Sequence, residues 1–197
     1  MKELILASQS PRRKMLLEQV GIPFTVLPSD VDETIDHNQQ PAEIVQILSV
    51  KKAESVVHQL PEGSSAVVLA ADTIVVLQGK VLGKPADRDD AFRMLQMLQD
   101  QWHEVMTGIT LIDIKTGKRL AHVEKTRVRV RPLTPDAIRD YIDSGEPLDK
   151  AGAYAIQGLG ALLVEKIDGC YSNVVGLPLY SVSMMLAEMG IHTPLDR

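Results

Sequence analysis

The chain has 197 residues, 45% of them hydrophobic and 24% charged, with a formal net charge of −5 at pH 7. This length and apolar content suffice to bury a substantial core. The weakly acidic balance excludes an overall positive field for holding nucleic acid or an anionic membrane. The single cysteine, Cys170, excludes an internal disulfide and is interpreted as a structural thiol.

Other function classes lack their sequence patterns. No stretch is apolar enough to predict a membrane span, and the N-terminus lacks the pattern of a signal peptide. The five histidines form neither a GxSxG nor an HExxH pattern, and the glycines fit neither a P-loop nor a dinucleotide fingerprint. We therefore expect a cytoplasmic protein that has no nucleic acid or membrane partner.

Two elements open the chain. A short apolar strand is predicted over Leu4–Ala7, followed by a helix from Pro11 to about Val20. Ser10 is the expected N-cap of this helix, and Gly21 ends it.

The turn between this strand and this helix carries hydroxyl and guanidinium groups, on Ser8, Ser10, Arg12 and Arg13. The N-terminus of a helix favours an anion, and arginine supplies forked donors that match phosphate oxygens. The same residues also suit a capped helix with solvated arginines. The pattern leaves both interpretations open.

A second strand is predicted over Phe24–Leu27. It leads into an acidic loop whose carboxylates are on Asp30, Asp32, Glu33 and Asp36. Such oxygens are ligands that Mg²⁺ or Mn²⁺ would accept, although most acidic loops are only solvated.

The next predicted helix begins at Pro41. Helical spacing places one set of residues on a single face, Ile44, Ile47, Leu48 and Lys51. Lys52 lies beside that face, so the paired lysines are either surface charges or a means of directing an ammonium toward a phosphate.

The segment Val67–Pro85 contains a single carboxylate, Asp72, between two strand-like runs, Val67–Ala71 and Ile74–Leu77. Aspartate is disfavoured inside strands, and burying its charge without a partner is unfavourable. Asp72 therefore indicates a bend, a hydrogen-bonded turn or a chemical role. A turn is also predicted at Gln78 and Gly79.

The remaining elements alternate between helices and strands. The predicted helices run from Arg88 to about Gln99 with Asp87 as cap, from Pro135 to about Ser144 with Thr134 as cap, and from Leu179 to about Met189. The predicted strands are Trp102–Ile112 and Leu120–Arg131, joined as a hairpin, and Leu162–Ile167. We predict an α/β fold with a mixed β-sheet and flanking helices, forming one domain of two lobes over residues 1–197.

One strand face is basic, with Lys125, Arg127, Arg129 and Arg131 in alternate positions. RNA binding is one interpretation of such a face. Because no aromatic residue is interleaved for base stacking, a solvated or ion-paired face is the better one.

After these exclusions, the chain still contains local groups that suit anion binding or proton transfer. They are Ser8–Arg13, Glu33, Lys52, Asp72, Lys84 and Asp149–Gln157. Lysines and arginines can hold a polyphosphate while carboxylates hold a divalent metal, and one carboxylate can deprotonate an attacking water. This set outlines a nucleotide hydrolase.

The residues resemble the Maf family of nucleoside triphosphate pyrophosphatases. The matching segments are LILASQSPRRKMLLEQVGI, AADTIVV with LGKP after it, and EPLDKAGAYAIQG followed by VVGLPL. The resemblance implies a fold related to the inosine triphosphate pyrophosphatase group, with two lobes around a central cleft, usually as a homodimer. It also implies hydrolysis of a nucleoside triphosphate to the monophosphate and pyrophosphate, with a divalent metal cation, Mg²⁺ or Mn²⁺, as cofactor.

The resemblance also implies roles for individual residues. Asp72 would be the general base, with Lys84 and Glu33 also in the catalytic set, and Glu33 and Asp72 would hold the metal. Phosphate contacts would come from Ser8, Arg13 and Lys52 as well as Lys84. Arg12, Thr73 and Gln157 are features of the branch that acts on dTTP and UTP, and a glutamine amide can pair with a uracil-type ring.

An alternative from another class is a nucleotide-binding regulator of cell division and septum formation without essential turnover. The same pocket would serve both functions. The full set of acids and lysines favours the enzyme, because a protein that only binds needs no base.

Overall fold

The computed structural model describes residues 2–34 and 39–195, so Asp36 of the predicted acidic loop lies outside the described residues. The strands are β1 (Glu3–Leu6), β2 (Thr25–Val26), β3 (Ala66–Leu77), β4 (Lys80–Leu82), β5 (Trp102–Asp113), β6 (Arg119–Val130) and β7 (Val164–Asp168). The α-helices are α1 (Pro11–Gln19), α2 (Pro41–Val57), α3 (Arg88–Leu98), α4 (Pro135–Asp143), α5 (Tyr171–Val175) and α6 (Leu179–Glu188). Three short 3-10 helices cover Glu146–Asp149, Ala151–Ala153 and Gly158–Leu162.

The strands form one mixed sheet in the order β2-β1-β3-β5-β6-β7, and β4 pairs with β3 alongside this path. Strand β1 is parallel to both β2 and β3, whereas β4 is antiparallel to β3 and β7 is antiparallel to β6. This arrangement confirms the predicted mixed α/β class.

The described residues divide into two units. Unit 1 contains those up to Asp72, Thr107–Glu124 and those from Gly176 onward, and unit 2 contains Thr73–Met106 and Lys125–Val175. Each unit has its own apolar cluster, around Val56 and Val68 in unit 1 and around Leu95 and Tyr154 in unit 2. The single domain expected over the whole chain stays a prediction.

Helix α1 has the predicted extent, and Gly21 follows it with a φ of 66°. Ser10 holds the N-cap position, but its side chain makes no capping hydrogen bond, contrary to the prediction. At this turn the hydroxyl of Ser8 is the acceptor instead, taking a hydrogen bond from the backbone N–H of Ser10 at 3.2 Å.

Of the three interpretations left open for Asp72, the bend and the hydrogen-bonded turn are excluded, because β3 runs without interruption from Ala66 to Leu77. The charge is accommodated by a partner side chain instead, as described below. The predicted turn at Gln78 and Gly79 is confirmed, with φ values of 50° and 78°. This turn folds the chain back into β4, a three-residue strand that no sequence pattern indicated.

The later elements follow the predictions closely. Asp87 and Thr134 cap α3 and α4 through their side chains. Two residues of the basic face of β6 are ion-paired, one of the two predicted states: Arg129 lies 2.6 Å from Asp100, and Arg127 lies 3.8 Å from Asp168. The sequence patterns did not indicate α5, a helix of five residues. Within the described residues, every helix is too short or too polar to cross a membrane.

Candidate active site

Unit 1 places one ammonium between two carboxylates. Lys52 Nζ lies 2.6 Å from Asp72 Oδ1 and 2.6 Å from Glu33 Oε1. Lys52 and Asp72 are each only 7% exposed, whereas Glu33 is exposed. The ammonium of Lys52 compensates the buried charge of Asp72. Lys52, Asp72 and Glu33 together carry a net negative charge.

Helix α2 sets the position of Lys52. The predicted apolar face is wrong by about one residue: Ile47 is 37% exposed and Lys51 is exposed, whereas Lys52 belongs to the buried face. Of the four residues predicted on that face, only Ile44 and Leu48 are buried. The helix therefore turns its second lysine, and not its first, toward Asp72.

A close approach to β5 holds α2 in this orientation. A Cβ atom added at Gly108 would lie 2.2 Å from the backbone oxygen of Val45, so only glycine lets the helix lie this near the strand. One turn further along, Ser49 Oγ and Thr110 Oγ1 form a buried hydrogen bond of 2.8 Å. These two contacts hold the helix that carries Lys52.

The serine and arginine turn follows directly from β1. The last paired residues of the parallel strands β1 and β3 are Leu6 and Leu69, so the chain enters this turn beside the part of β3 that leads to Asp72. In open α/β sheets, ligands bind beyond the carboxyl ends of parallel strands. The turn lies where such a ligand would be expected.

Arg13 is held by two acceptors. Its Nε donates to the carbonyl of Gly176 at 2.8 Å, and its Nη1 donates to Ser8 Oγ at 3.3 Å. Burial lowers the pKa of the Arg13 guanidinium from its ordinary value, and the neighbouring charge of Arg12 lowers it further, while the charges of Asp72 and Glu33 act in the opposite direction. The structure thus brings Ser8 and Arg13 into the same electrostatic environment as Asp72.

Unit 2 carries Thr73, Lys84 and Gln157, whereas Arg12, the remaining predicted site residue, lies on α1 in unit 1. Thr73 is half-buried and follows Asp72 in β3, where alternation directs neighbouring side chains to opposite faces of the strand. Lys84 is exposed, and Gln157 is half-buried just before a 3-10 helix.

Two of these residues lie on segments that touch. The backbone N–H of Gly152 donates to the carbonyl of Gly83 at 3.0 Å, which joins the segment of Lys84 to the loop that leads to Gln157. Gly152 has a φ of 69°, and a Cβ atom there would lie 2.9 Å from the side chain of Val75. Glycine therefore permits this contact.

A divalent metal can be tested against the donor set of unit 1. Among residues 2–34 and 39–195, no group of three or more histidine, cysteine or acidic side chains could hold an ion by itself. Glu33 and Asp72 nevertheless converge on a single nitrogen. Mg²⁺ commonly binds one or two carboxylates and completes its shell with water and substrate phosphates, so this pair fits such an ion.

Sequence reasoning missed the groups that hold the site residues in place. Gly108 lies inside a strand, where glycine often marks a close backbone approach, so a signal for it existed. The carbonyl of Gly176 gave no signal of its own, because any residue has a carbonyl.

A family model described as Maf-like protein matches residues 3–189. The chain is 52% identical over 193 residues to the dTTP/UTP pyrophosphatase of Halalkalibacterium halodurans, covering 98% of this chain and 99% of the relative. It is 49% identical over 195 residues to the dTTP/UTP pyrophosphatase of Acetivibrio thermocellus, covering 97% of each chain.

Among solved structures, the Ham1 protein of Staphylococcus aureus is 15% identical, with a TM-score of 0.47, covering 66% of this chain and 72% of that one. A likeness of this size supports no conclusion about function. The family model and the two relatives, however, span nearly the whole chain. The chain belongs to the Maf family.

Proposed function

We propose that this protein is a nucleoside triphosphate pyrophosphatase that hydrolyses dTTP and UTP, together with modified pyrimidine nucleotides, to the monophosphate and pyrophosphate. The observation that carries the proposal is the buried Asp72 carboxylate, which is paired with Lys52. The charges of Asp72 and Glu33 also act on the guanidinium of Arg13. The proposal is also supported by relatives named dTTP/UTP pyrophosphatase, which are 49% and 52% identical over nearly the whole chain.

Asp72 is the general base of the proposed reaction. Its carboxylate takes a proton from a water molecule while the water oxygen bonds to the α-phosphorus. The bond from that phosphorus to the bridging oxygen breaks, and pyrophosphate leaves with the bonding electrons. One carboxylate oxygen of Asp72 accepts the hydrogen bond of Lys52, which holds the carboxylate in one orientation.

In this proposal, positively charged side chains bind the phosphates. Arg13 is pre-positioned by Ser8 and Gly176, so little side-chain freedom is lost when it binds an anion. Lys52 and the exposed Lys84 supply further charge.

A divalent cation, Mg²⁺ or Mn²⁺, is part of the proposal, and Glu33 and Asp72 would hold it. When bound, the ion would neutralise negative charge on the triphosphate. Lys52 contacts both of these carboxylates, so it limits the repulsion between them.

Selection of the base is assigned to Arg12, Thr73 and Gln157. The amide of Gln157 offers both a donor and an acceptor, which matches the edge of a uracil-type ring. Arg12 and Thr73 are retained from the family resemblance as specificity residues.

The direct test supplies dTTP, UTP, ATP and 7-methyl-GTP separately with Mg²⁺ or Mn²⁺ and follows the release of pyrophosphate. The proposal expects faster turnover of dTTP and UTP than of the two purine nucleotides. Equal rates for all four would reject the substrate assignment, and release of orthophosphate in place of pyrophosphate would reject the site of cleavage. Omitting the metal and adding a chelator tests the cofactor.

A homodimer and a cytoplasmic location complete the proposal, both taken from the sequence expectations. Light scattering coupled to gel filtration tests the dimer. A mass twice that of the chain is expected, and a mass equal to one chain would reject it.

A further inference from the structure

The carboxylate of Glu146 is the centre of a hydrogen-bond cluster in unit 2. Its Oε1 accepts from the hydroxyl of Tyr141 at 2.8 Å and from the backbone N–H of Gly160 at 2.9 Å. Its Oε2 accepts from the backbone N–H of Leu159 at 3.0 Å. The Tyr141 hydroxyl in turn accepts from the backbone N–H of Ala155 at 3.2 Å. Both ends of the segment 155–160 are therefore held by this pair of side chains.

Glycines let the segment close around the carboxylate. Gly158 has a φ of 63°, and a Cβ atom there would lie 2.4 Å from Glu146 Oε2. At Gly160 a Cβ atom would lie 2.1 Å from the carbonyl oxygen of Ala155 and 2.7 Å from the Tyr141 hydroxyl. The backbone here is shaped to bind this one anionic group.

The cluster favours the ionised carboxylate. Partial burial acts to raise the pKa of Glu146, but the hydrogen bonds from Gly160, Tyr141 and Leu159 outweigh it and hold the pKa below its ordinary value. Tyr141 is buried, and burial together with its bond to Glu146 raises the pKa of its hydroxyl. The tyrosine therefore stays protonated and remains a donor.

Gln157 lies in the middle of the segment that this cluster holds. Ala155 precedes it by two residues and is tied to Tyr141, while Leu159 follows it by two and is tied to Glu146. We propose that Glu146, together with Tyr141, is a positioning residue for base selection, which fixes the backbone from which Gln157 reads the pyrimidine ring. This inference rests on the proposed function, because it assigns a purpose to the position of Gln157.

The sharpest variant is Glu146→Gln, which keeps the size of the side chain. One carboxylate oxygen becomes an NH2 group, and in either orientation of the amide at least one backbone N–H, from Leu159 or Gly160, then faces a donor. The variant thus opens one end of the segment with little change in volume. Tyr141→Phe is a second variant that opens the other end, and Glu165→Gln is the matched control, since that exposed glutamate of β7 pairs instead with Arg129.

The readout is the ratio of kcat/KM for UTP to that for CTP, which differ at the ring edge that an amide can distinguish. We expect Glu146→Gln to lower this ratio by about tenfold, within the range that modest pocket changes produce, with Gln157→Ala lowering it as much. In the Gln157→Ala background, Glu146→Gln should lower it no further. Glu165→Gln should leave it unchanged.

A purely structural role would give a different pattern. It would lower kcat/KM for both nucleotides alike and leave their ratio intact, and that result overturns the inference. So does an effect of Glu146→Gln that is equally large with and without Gln157, because the two residues would then act independently.

Hydrogen exchange tests the positioning without turnover. Exchange of the amides in 155–160 should speed up by about tenfold or more in Glu146→Gln, since at least one of them loses its acceptor. Amides of α4 should keep their wild-type rates. Unchanged exchange in 155–160 overturns the inference, whereas wild-type protein that releases no pyrophosphate contradicts the proposed function instead.

Discussion

Lys52 Nζ lies 2.6 Å from Asp72 Oδ1, and both side chains are almost entirely buried. A strand can therefore carry an aspartate at its centre without a bend, because a helix supplies the opposite charge. The pair contributes both to the stability of the fold and to the proposed chemistry.

Replacing Asp72 by asparagine should abolish hydrolysis. Asparagine keeps the shape and one oxygen that accepts from Lys52, but it cannot take a proton from water. Loss of a positioned general base lowers the rate by roughly 100-fold to 10,000-fold. Pyrophosphate release measures the rate, and nucleotide binding, measured by calorimetry, should be largely retained.

Asp168→Asn is the control for that change, since Asp168 is an exposed residue of unit 2. Near-normal turnover in Asp72→Asn would show that the base lies elsewhere, with Glu33 the first residue to test.

Replacing Lys52 by methionine should destabilise the protein. The enclosed Asp72 would lose its partner, and removing one member of a buried ion pair lowers the free energy of unfolding by about 3 to 5 kcal/mol. Denaturant unfolding measures the effect. Lys51→Met, one residue earlier on the exposed side of the same helix, should change it by less than about 0.5 kcal/mol.

The double variant Lys52→Met with Asp72→Asn measures the energetic coupling between these two side chains. It should recover part of the lost stability, because a neutral amide needs no counter-charge. Equal losses in the single and double variants would mean that the methionine acts through packing alone.

Replacing Gly108 by alanine should displace helix α2. The new methyl group would lie 2.2 Å from the Val45 oxygen, which the backbone cannot accommodate without moving. Overpacking of this kind lowers the free energy of unfolding by about 1 to 3 kcal/mol, and turnover should fall with it because Lys52 moves with the helix. Thermal unfolding and pyrophosphate release are the measurements.

Gly83→Ala is the stability control for Gly108. Nothing lies within 4 Å of a Cβ atom added at Gly83, so its unfolding should stay close to that of the wild type. A Gly108→Ala variant that unfolds like the wild type would show that α2 accommodates the added methyl group.

Acid should weaken the protein through His103. This residue is 2% exposed, its Nε2 lies 2.7 Å from the Tyr154 hydroxyl, and its Nδ1 has no hydrogen-bond partner among the described residues. Burial lowers the pKa of His103 from 6.5 to about 4. The unfolded chain therefore binds this proton first as the pH falls, so the stability declines from about pH 6.5 downward until the folded protein also takes the proton near pH 4.

Between pH 7 and pH 5 this difference is worth about 2 kcal/mol. In His103→Gln the decline over that interval should be smaller by this amount, as measured by denaturant unfolding at both values. His58→Gln, at the exposed end of α2, should decline as the wild type does. Equal declines in all three proteins would exclude His103 as the source.

Sequence patterns located most elements because their signals are local. The caps at Asp87 and Thr134 depend on residues within one turn, and each is found where it was predicted. The buried face of α2 could not be predicted in the same way, because the close approach of Gly108 decides which lysine turns inward. A bend or turn at Asp72 stayed open at the level of the sequence, because the strand alone does not reveal the distant Lys52 that compensates its charge.

The same distinction between local signals and distant contacts applies to the candidate site. The family resemblance selected Asp72 and Arg13 in its matching segments and implied Lys52 outside them, and the structure brings these residues together within unit 1. The groups that position them are backbone atoms or ordinary side chains, such as the carbonyl of Gly176. Their identity carries no signal until the chain is folded.

The bond from Arg13 to the carbonyl of Gly176 joins residues 163 positions apart. Unit 1 consists of three separated stretches of chain, and the last begins at this glycine. During synthesis, Arg13 can therefore meet this acceptor only after residue 176 has left the ribosome. The nascent chain cannot complete the serine and arginine turn early, and a ribosome that stalls before residue 176 leaves a product in which Arg13 keeps Ser8 as an acceptor but lacks the carbonyl of Gly176.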